Sequence, residues 1–132
     1  MRRGPLALLL FVALLGTTPL PAGAWDSGLL QPLMWGWEQL FEVEYGPGEY
    51  HGQPAVEGYV VNVSHYGYTR IRILIDALDA GGHVMAQRVA YLPGGIGGGD
   101  QVFFQVPAPP APAYRVQVFD YDRREGFGNK VR

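Results

Sequence analysis

The sequence predicts an all-β domain, and two features of the chain carry that prediction. Nineteen glycines and eleven prolines interrupt it at short intervals, and these residue types mark turns. Between them lie short runs in which apolar and polar side chains alternate, as they do in half-buried strands. The clearest run has four apolar side chains in phase, Ile71, Ile73, Ile75 and Ala77. A slip of one residue would bury two arginines, so the register of this strand is firmly set.

Five further runs alternate in the same way and are predicted as strands. They are Phe41–Tyr45, Val56–Val63, His83–Leu92, Gln101–Val106 and Tyr114–Tyr121. Turn residues separate them: Gly46-Pro47-Gly48 ends the first strand, and Asp79-Ala80-Gly81-Gly82 makes a hairpin. Residues 94–99 form a glycine loop, and residues 107–112 form a stiff proline-rich connector.

For two of these runs, the sequence does not decide which face of the strand is buried in the core. If Glu57 faces water, Val56 and Val60 face the core, but Tyr59 is then left on the outer face. The return strand His83–Leu92 carries apolar residues on both faces, and a β-bulge is one explanation for that pattern.

The segment before the first strand follows a different pattern. Leu33, Trp37 and Leu40 recur at helical spacing, whereas Trp35 and Trp37 would share one face of a strand. Gly36 weakens a helix by about 1 kcal/mol relative to alanine. We therefore predict a short helical or irregular N-terminal lead-in.

Six strands at this spacing are typical of a two-layer antiparallel sandwich of the immunoglobulin-like type, with about six to seven strands. We assign residues 40–122 to this β-sandwich domain, residues 25–39 to the lead-in and residues 123–132 to a flexible charged tail. The tail has little to bury and is expected to fray.

Residues 1–24 have the organisation of a secretory signal peptide. Arg2-Arg3 precedes the apolar run Leu6–Leu15, and Ala22-Gly23-Ala24 has the form of a cleavage site. The run is far shorter than the ~20 apolar residues that a spanning helix needs. We expect an exported protein that is cut before Trp25 and has no transmembrane segment after cleavage.

The chain contains no cysteine. Disulfides, a thiolate nucleophile and cysteine-ligated zinc are therefore excluded. Export without cysteine suits a bacterial periplasm or extracellular space better than a eukaryotic secretory route. On the eukaryotic route, Asn62-Val63-Ser64 would be a glycosylation acceptor. The simpler interpretation is an asparagine at the end of a strand.

The charge of the chain is negative and unevenly placed. Without the first 24 residues, eight Lys and Arg oppose twelve Asp and Glu, a net charge of −4. Such a chain has no overall attraction for nucleic acid. Six acidic residues and no Lys or Arg lie between Trp25 and Glu57, whereas the tail is basic. We expect solvated strand faces and a soluble tail, with contact between the basic tail and an acidic partner or a membrane as the alternative.

Several motifs occur in an order that resembles the FxLYD-type domains of exported bacterial proteins. They are Gly58-x-Val60-x-Asn62-x-Ser64, Leu78-Asp79-Ala80-Gly81, Leu92-Pro93-Gly94, Val102-Phe103-Phe104-x-Val106 and Tyr114-Arg115-Val116-x-Val118. Leu78 stands where that family usually has tyrosine. The resemblance spans about residues 40–121 and implies an immunoglobulin-like sandwich and export, and it offers no active site to carry over to this chain.

No cofactor or metal site is predicted. The glycine loop has Asp100 where a dinucleotide fingerprint needs its last glycine, and no lysine follows as in a phosphate loop. His51, His65 and His83 are scattered and lack metal-ligand spacing. The aspartates around the predicted hairpin, Asp76 and Asp79, lack the further ligands of a calcium loop.

Catalysis has little support in the sequence. Ser64 precedes His65, but adjacent strand residues point to opposite faces. The carboxylate pairs Glu42/Glu44 and Asp120/Asp122 each share a strand face, but no cleft surrounds them. We therefore predict that the protein is not an enzyme.

Aromatic residues are the best candidates for a binding site. Trp35 and Trp37 lie in the lead-in, and Phe103, Phe119 and Tyr121 fall out of phase with the core residues of their strands. We expect an exported, non-catalytic binding or structural module that acts by protein–protein interaction, through this aromatic surface or a sheet edge. The alternatives are carbohydrate or envelope-glycan binding by exposed Trp and Tyr residues, or a surface covered by the lead-in.

Overall fold

The computed structural model describes residues 28–124, and the predicted signal peptide and most of the predicted tail lie outside the described residues. The unit that holds the strands begins at Gln31. Its elements are a 3-10 turn (Trp37–Gln39) and strands β1 (Phe41–Tyr50), β2 (Gln53–Asn62), β3 (Tyr68–Leu78), β4 (Val84–Tyr91), β5 (Gln101–Pro107) and β6 (Ala113–Arg123). Among these residues, no helix has the length and apolar character needed to cross a membrane.

The strands form two antiparallel sheets of three strands each. The first sheet has the order β1-β2-β5, and the second has the order β4-β3-β6. In the nomenclature of immunoglobulin domains these orders correspond to A-B-E and C′-C-F, with no counterpart of D or G among residues 28–124. The predicted all-β, two-layer antiparallel sandwich is thus confirmed.

The hydrophobic core lies between the two sheets. Ile71, Ile73 and Ile75 of β3 are fully buried there, which confirms the predicted phase of this strand. On β2, Val56 and Val60 face the core. The phase that the sequence left open is therefore the one with Glu57 on the outer face.

The first hairpin turn lies further along the chain than predicted. β1 continues through Gly46-Pro47-Gly48, and the chain reverses at His51 and Gly52, whose φ angles of 51° and 78° suit a tight hairpin. The Val63 N–H donates to the Leu40 carbonyl at 2.9 Å. Counting from this bond shows which residues of β1 are hydrogen-bonded to β2 and which point their backbone groups away from it. With that alternation, the backbone of Pro47 faces the free edge of the sheet, so proline costs no ladder hydrogen bond.

The ladder between β3 and β6 shifts register twice, around Arg70 and around Phe119. Arg70 has a φ of 50°, an unusual value for a residue with a side chain. Each shift inserts one extra residue, as in a β-bulge, and inverts the alternation of side chains beyond it. Tyr121 therefore points into the core. The prediction that it shares an outer face with Phe119 is wrong.

A third bulge lies at the start of β4, but it does not account for the apolar residues on both faces of the strand, because residues 86–91 pair with β3 in an unbroken register. The pairing with β3 passes from Ala77 opposite Ala86 to Leu78 opposite Val84, so Met85 is the extra residue. The described part of the predicted lead-in contains the 3-10 turn, which is preceded by Gly36 in the left-handed conformation at a φ of 78°. The lead-in is fixed to the second sheet by a 2.8 Å hydrogen bond from the Leu33 N–H to the carbonyl of Phe119.

Candidate binding surface

Tyr121 belongs to an aromatic cluster inside the sandwich. Its ring centre lies 5.2 Å from those of Phe41 and Tyr68, both in edge-to-face geometry, and the residue is 9% exposed. Burial raises the pKa of its hydroxyl above the ordinary value. The cluster joins the first residues of β1 and β3 to the end of β6, so Tyr121 stabilises the fold and offers no binding surface.

Phe119 lies on the outer face of the second sheet, but it is covered there. The guanidinium of Arg72 lies 5.1 Å from its ring centre, and the residue is only 6% exposed. Arg72 also pairs with the carboxylate of Asp120 and lies 5.5 Å from the ring centre of Tyr91. This stacking holds Phe119 within the domain, so it does not contribute to an exposed patch.

The two lead-in tryptophans have different surroundings. Trp37 packs against the core cluster together with Met34 and Leu40, whereas Trp35 is fully exposed. They therefore do not form a joint platform. Part of the apolar stripe predicted in this segment is buried by the sandwich.

Phe103 forms an exposed aromatic pair with Tyr59, a residue that the sequence did not single out as a candidate. The two are direct cross-strand partners on β5 and β2. Their ring centres are 5.4 Å apart with an interplanar angle of 62°, and 48% of Phe103 and 38% of Tyr59 are exposed. The pairing depends on the register between strands about 45 residues apart, which a local pattern cannot reveal.

The pair lies on the outer surface of the first sheet, which we call the aromatic face, with Tyr59 on the central strand β2 and Phe103 on the edge strand β5. The strand registers place four rows of residues across it: Glu42-Val61-Gln101, Glu44-Tyr59-Phe103, Gly46-Glu57-Gln105 and Gly48-Ala55-Pro107. Glu44, Glu57 and Gln105 flank the two rings, Val61 adjoins Tyr59, and the free edge of the sheet lies beyond Phe103. Gly46 and Gly48 have no side chains, so the face is shallow along this part of β1.

Glu57 is held in place on this face by its neighbours. The Gln105 amide donates to a carboxylate oxygen of Glu57 at 2.8 Å and to the backbone carbonyl of Glu49 at 3.0 Å. A side chain at Gly48 would overlap the Glu57 carboxylate. Glycine at this position therefore lets the Glu57 side chain lie flat across β1.

Charges are segregated between the two sheets. The first sheet carries Glu42, Glu44, Glu49 and Glu57 and no Lys or Arg. Every arginine among residues 28–124 lies on a strand of the second sheet or directly after β6. The first sheet therefore has a negative surface.

Ion pairs occupy arginines of the second sheet, and none of the described ion pairs includes a glutamate of the first sheet. Arg115 pairs with Asp76 at 2.7 Å, Arg70 pairs with Asp122 at 2.6 Å, and Arg72 pairs with Asp120. Within the described part of the chain, the Glu42 and Glu44 carboxylates make no hydrogen bond or ion pair. These two carboxylates are available to a partner.

The residues considered for other chemistry have structural roles. The Ser64 hydroxyl lies 2.7 Å from the side-chain oxygen of Asn62, within the turn after β2. The Asp79 carboxylate accepts from the N–H groups of His83 at 2.8 Å and Gly81 at 2.9 Å, and these bonds lower its pKa. In residues 28–124, no three His, Asp or Glu side chains converge as a metal site requires.

No protein-family model, curated protein or solved structure matches this chain. The resemblance to FxLYD-type domains, which depends on strand and turn residues, stays a prediction.

Proposed function

We propose that this protein is a non-catalytic binding module that acts by protein–protein interaction through the aromatic face. The exposed pair of Tyr59 and Phe103 carries this proposal. A single exposed apolar residue is ordinary, but adjacent exposed aromatic rings are typical of binding surfaces. Aromatic residues also supply much of the energy in protein interfaces.

The surroundings of the pair support the same function. The rings lie in the second of the four rows, and Glu44, Glu57 and Gln105 lie beside them. A central apolar anchor with a polar rim is the common arrangement of protein interfaces. The rigid pairing of β2 with β1 and β5 on either side holds the face in shape before a partner arrives, which lowers the entropic cost of binding.

We place this module outside the cytoplasm of a bacterium. The signal-peptide pattern of residues 1–24 and the absence of cysteine support export. The resemblance to FxLYD-type domains supports the same compartment.

Glycan binding is the second candidate, and the fully exposed Trp35 is the observation that favours it. An exposed indole can stack on the apolar face of a sugar ring. However, Trp37 packs against the core, so Trp35 stands alone as a platform. A protein partner accounts better for a pair of rings with charged neighbours.

Site-specific photo-crosslinking in the cells that make the protein tests the proposal. A benzophenone amino acid replaces Phe103 in the full chain, and a matched control carries it at Tyr91, an exposed aromatic residue of the second sheet. We expect an adduct with a defined polypeptide at position 103, absent at position 91 and lost when Tyr59→Ser is added. The same adducts at both positions, or a glycan adduct only, would contradict a protein-binding aromatic face.

A further inference from the structure

The aromatic face combines exposed rings with charges of a single sign. Glu42 and Glu44 lie on β1 beside the ring pair, and neither carboxylate has a partner among residues 28–124. The arginines that might neutralise them lie on the other sheet, where three of them are ion-paired. The chemistry of this face therefore calls for positive charge from outside the folded domain.

The register places ring and carboxylate where one cation can reach both. Glu44 is the cross-strand partner of Tyr59, and Tyr59 is the partner of Phe103. Side chains of directly paired residues start about 5 Å apart on the same face. A cation stacked on the Tyr59 ring can therefore also contact the Glu44 carboxylate. A π face and a carboxylate both attract a guanidinium, which is planar and forms paired hydrogen bonds with carboxylates.

The cost of removing water from the Glu44 carboxylate favours a positively charged partner. Burying the rings of Tyr59 and Phe103 also removes water from Glu44. A neutral apolar partner would leave that carboxylate buried without compensation, which is costly. A partner that brings a guanidinium to the same place compensates the charge and covers the rings.

The size of the face indicates a short segment rather than a second folded domain. Three strands and four rows span about 10 by 20 Å, well below the ~800 Å² that each partner buries in a standard interface. An extended chain of about six residues covers the longer dimension. In an extended chain, side chains two residues apart have the same spacing as Glu42 and Glu44, because both follow the strand repeat.

We propose that the aromatic face binds an extended, arginine-bearing segment of another protein, with a guanidinium stacked on the Tyr59–Phe103 pair and paired with Glu44. This proposal rests on the proposed protein-binding function and names the chemistry of the partner.

Peptide binding to the full chain, followed by fluorescence anisotropy, tests it. The probe is a labelled octapeptide of alternating arginine and serine, and its control replaces each arginine by citrulline, the uncharged analogue. E44Q removes the charge beside the rings. E49Q removes one charge from the same strand at a position whose side chain alternates to the other face, so it is the matched control.

We expect the arginine peptide to bind and the citrulline peptide not to bind. E44Q should weaken the arginine peptide by about three- to tenfold, and Phe103→Ser should weaken it as well, whereas E49Q changes it by less than about twofold. Equal effects of E44Q and E49Q would show that the peptide responds to the overall negative charge of the domain, and would overturn the proposed pairing with Glu44. Binding of the citrulline peptide would overturn the role of charge.

Two further outcomes are decisive. If the arginine peptide does not bind but a polypeptide is still cross-linked at position 103, the arginine inference fails and the protein-binding function stands. If neither is observed, both fail. A dimer that E44Q dissociates in sedimentation experiments would show that the occupant is a second copy of this chain, and it would overturn the assignment to another protein.

Discussion

The carboxylate of Asp76 on β3 accepts two hydrogen bonds from the guanidinium of Arg115 on β6, at 3.0 and 2.7 Å. The amide of Gln87 on β4 donates a third at 2.9 Å. Asp76 is 1% exposed, although it lies on the outer side of the second sheet, next to the fully buried Leu74. A polar network thus joins all three strands on this outer side.

Arg115→Met should destabilise the domain by about 2–4 kcal/mol, because it leaves a buried carboxylate with one hydrogen-bond donor. Arg70→Met is the matched control. Its pair with Asp122 is largely exposed, and we expect it to cost less than about 1 kcal/mol. Urea unfolding measures the free energy of unfolding of both variants. Equal losses would show that the buried Asp76 pair stabilises the domain no more than an exposed pair does.

Asn62→Ala should lower the free energy of unfolding by about 2–4 kcal/mol, since the buried amide fixes two loops. Its nitrogen donates to the carbonyls of Tyr66 at 2.6 Å and Ile96 at 3.0 Å, and its oxygen accepts from the Ser64 N–H at 2.9 Å. Ser64→Ala is the control and should cost about 0.5–1.5 kcal/mol. A smaller loss for Asn62→Ala than for Ser64→Ala in urea unfolding would contradict this role.

Ile73→Ala should cost about 2–5 kcal/mol through lost burial and a cavity between the sheets. Val61→Ala, on the half-buried aromatic face, should cost about 1 kcal/mol or less. The comparison of their denaturant midpoints tests the core phase of β3, and similar shifts would contradict it.

The free energy of unfolding should fall at alkaline pH. Burial raises the pKa of the hydroxyls of Tyr45, Tyr114 and Tyr121 above the ordinary 10.0. The unfolded chain therefore loses these protons first, so the stabilisation is fully present below pH 10.0 and is lost as the pH rises through the folded-state values. Tyr121→Phe keeps the ring and should make the decline above that pH shallower. An unchanged slope in pH-dependent urea titrations would contradict this assignment.

Local patterns predicted the strands of this domain, but they did not predict the bulges of β3 and β6. The phase of the β3 isoleucines follows from alternation alone. The bulges at Arg70 and Phe119 arise from how β3 and β6 pair across about 50 residues, so the inversion that buries Tyr121 has no local signal. Pro47 is a second example. A proline usually indicates the end of a strand, and it is tolerated here only because it lies at a free edge of the sheet.

The sequence predicted only part of the candidate site, because the rest also depends on how distant strands pair. The exposed position of Phe103 follows from the alternation of β5, which has no bulge in its pairing with β2. Phe119 lies on an outer face, as its alternation predicts, but on that of the other sheet, and the bulge turns Tyr121 into the core. Tyr59 became a candidate only when the register set it opposite Phe103.

The most direct test of the central claim compares two exposed pairs of apolar residues on the full chain. Tyr59→Ser/Phe103→Ser removes the rings of the aromatic face, and Met85→Ser/Tyr91→Ser removes two residues of the second sheet that are more exposed still. The measurement is the dissociation constant for the polypeptide captured at position 103, after matched thermal midpoints show that both variants fold. We predict a loss of affinity of at least about tenfold for the first variant and less than about twofold for the second. Equal losses, or full affinity in the first variant, would contradict binding through the aromatic face.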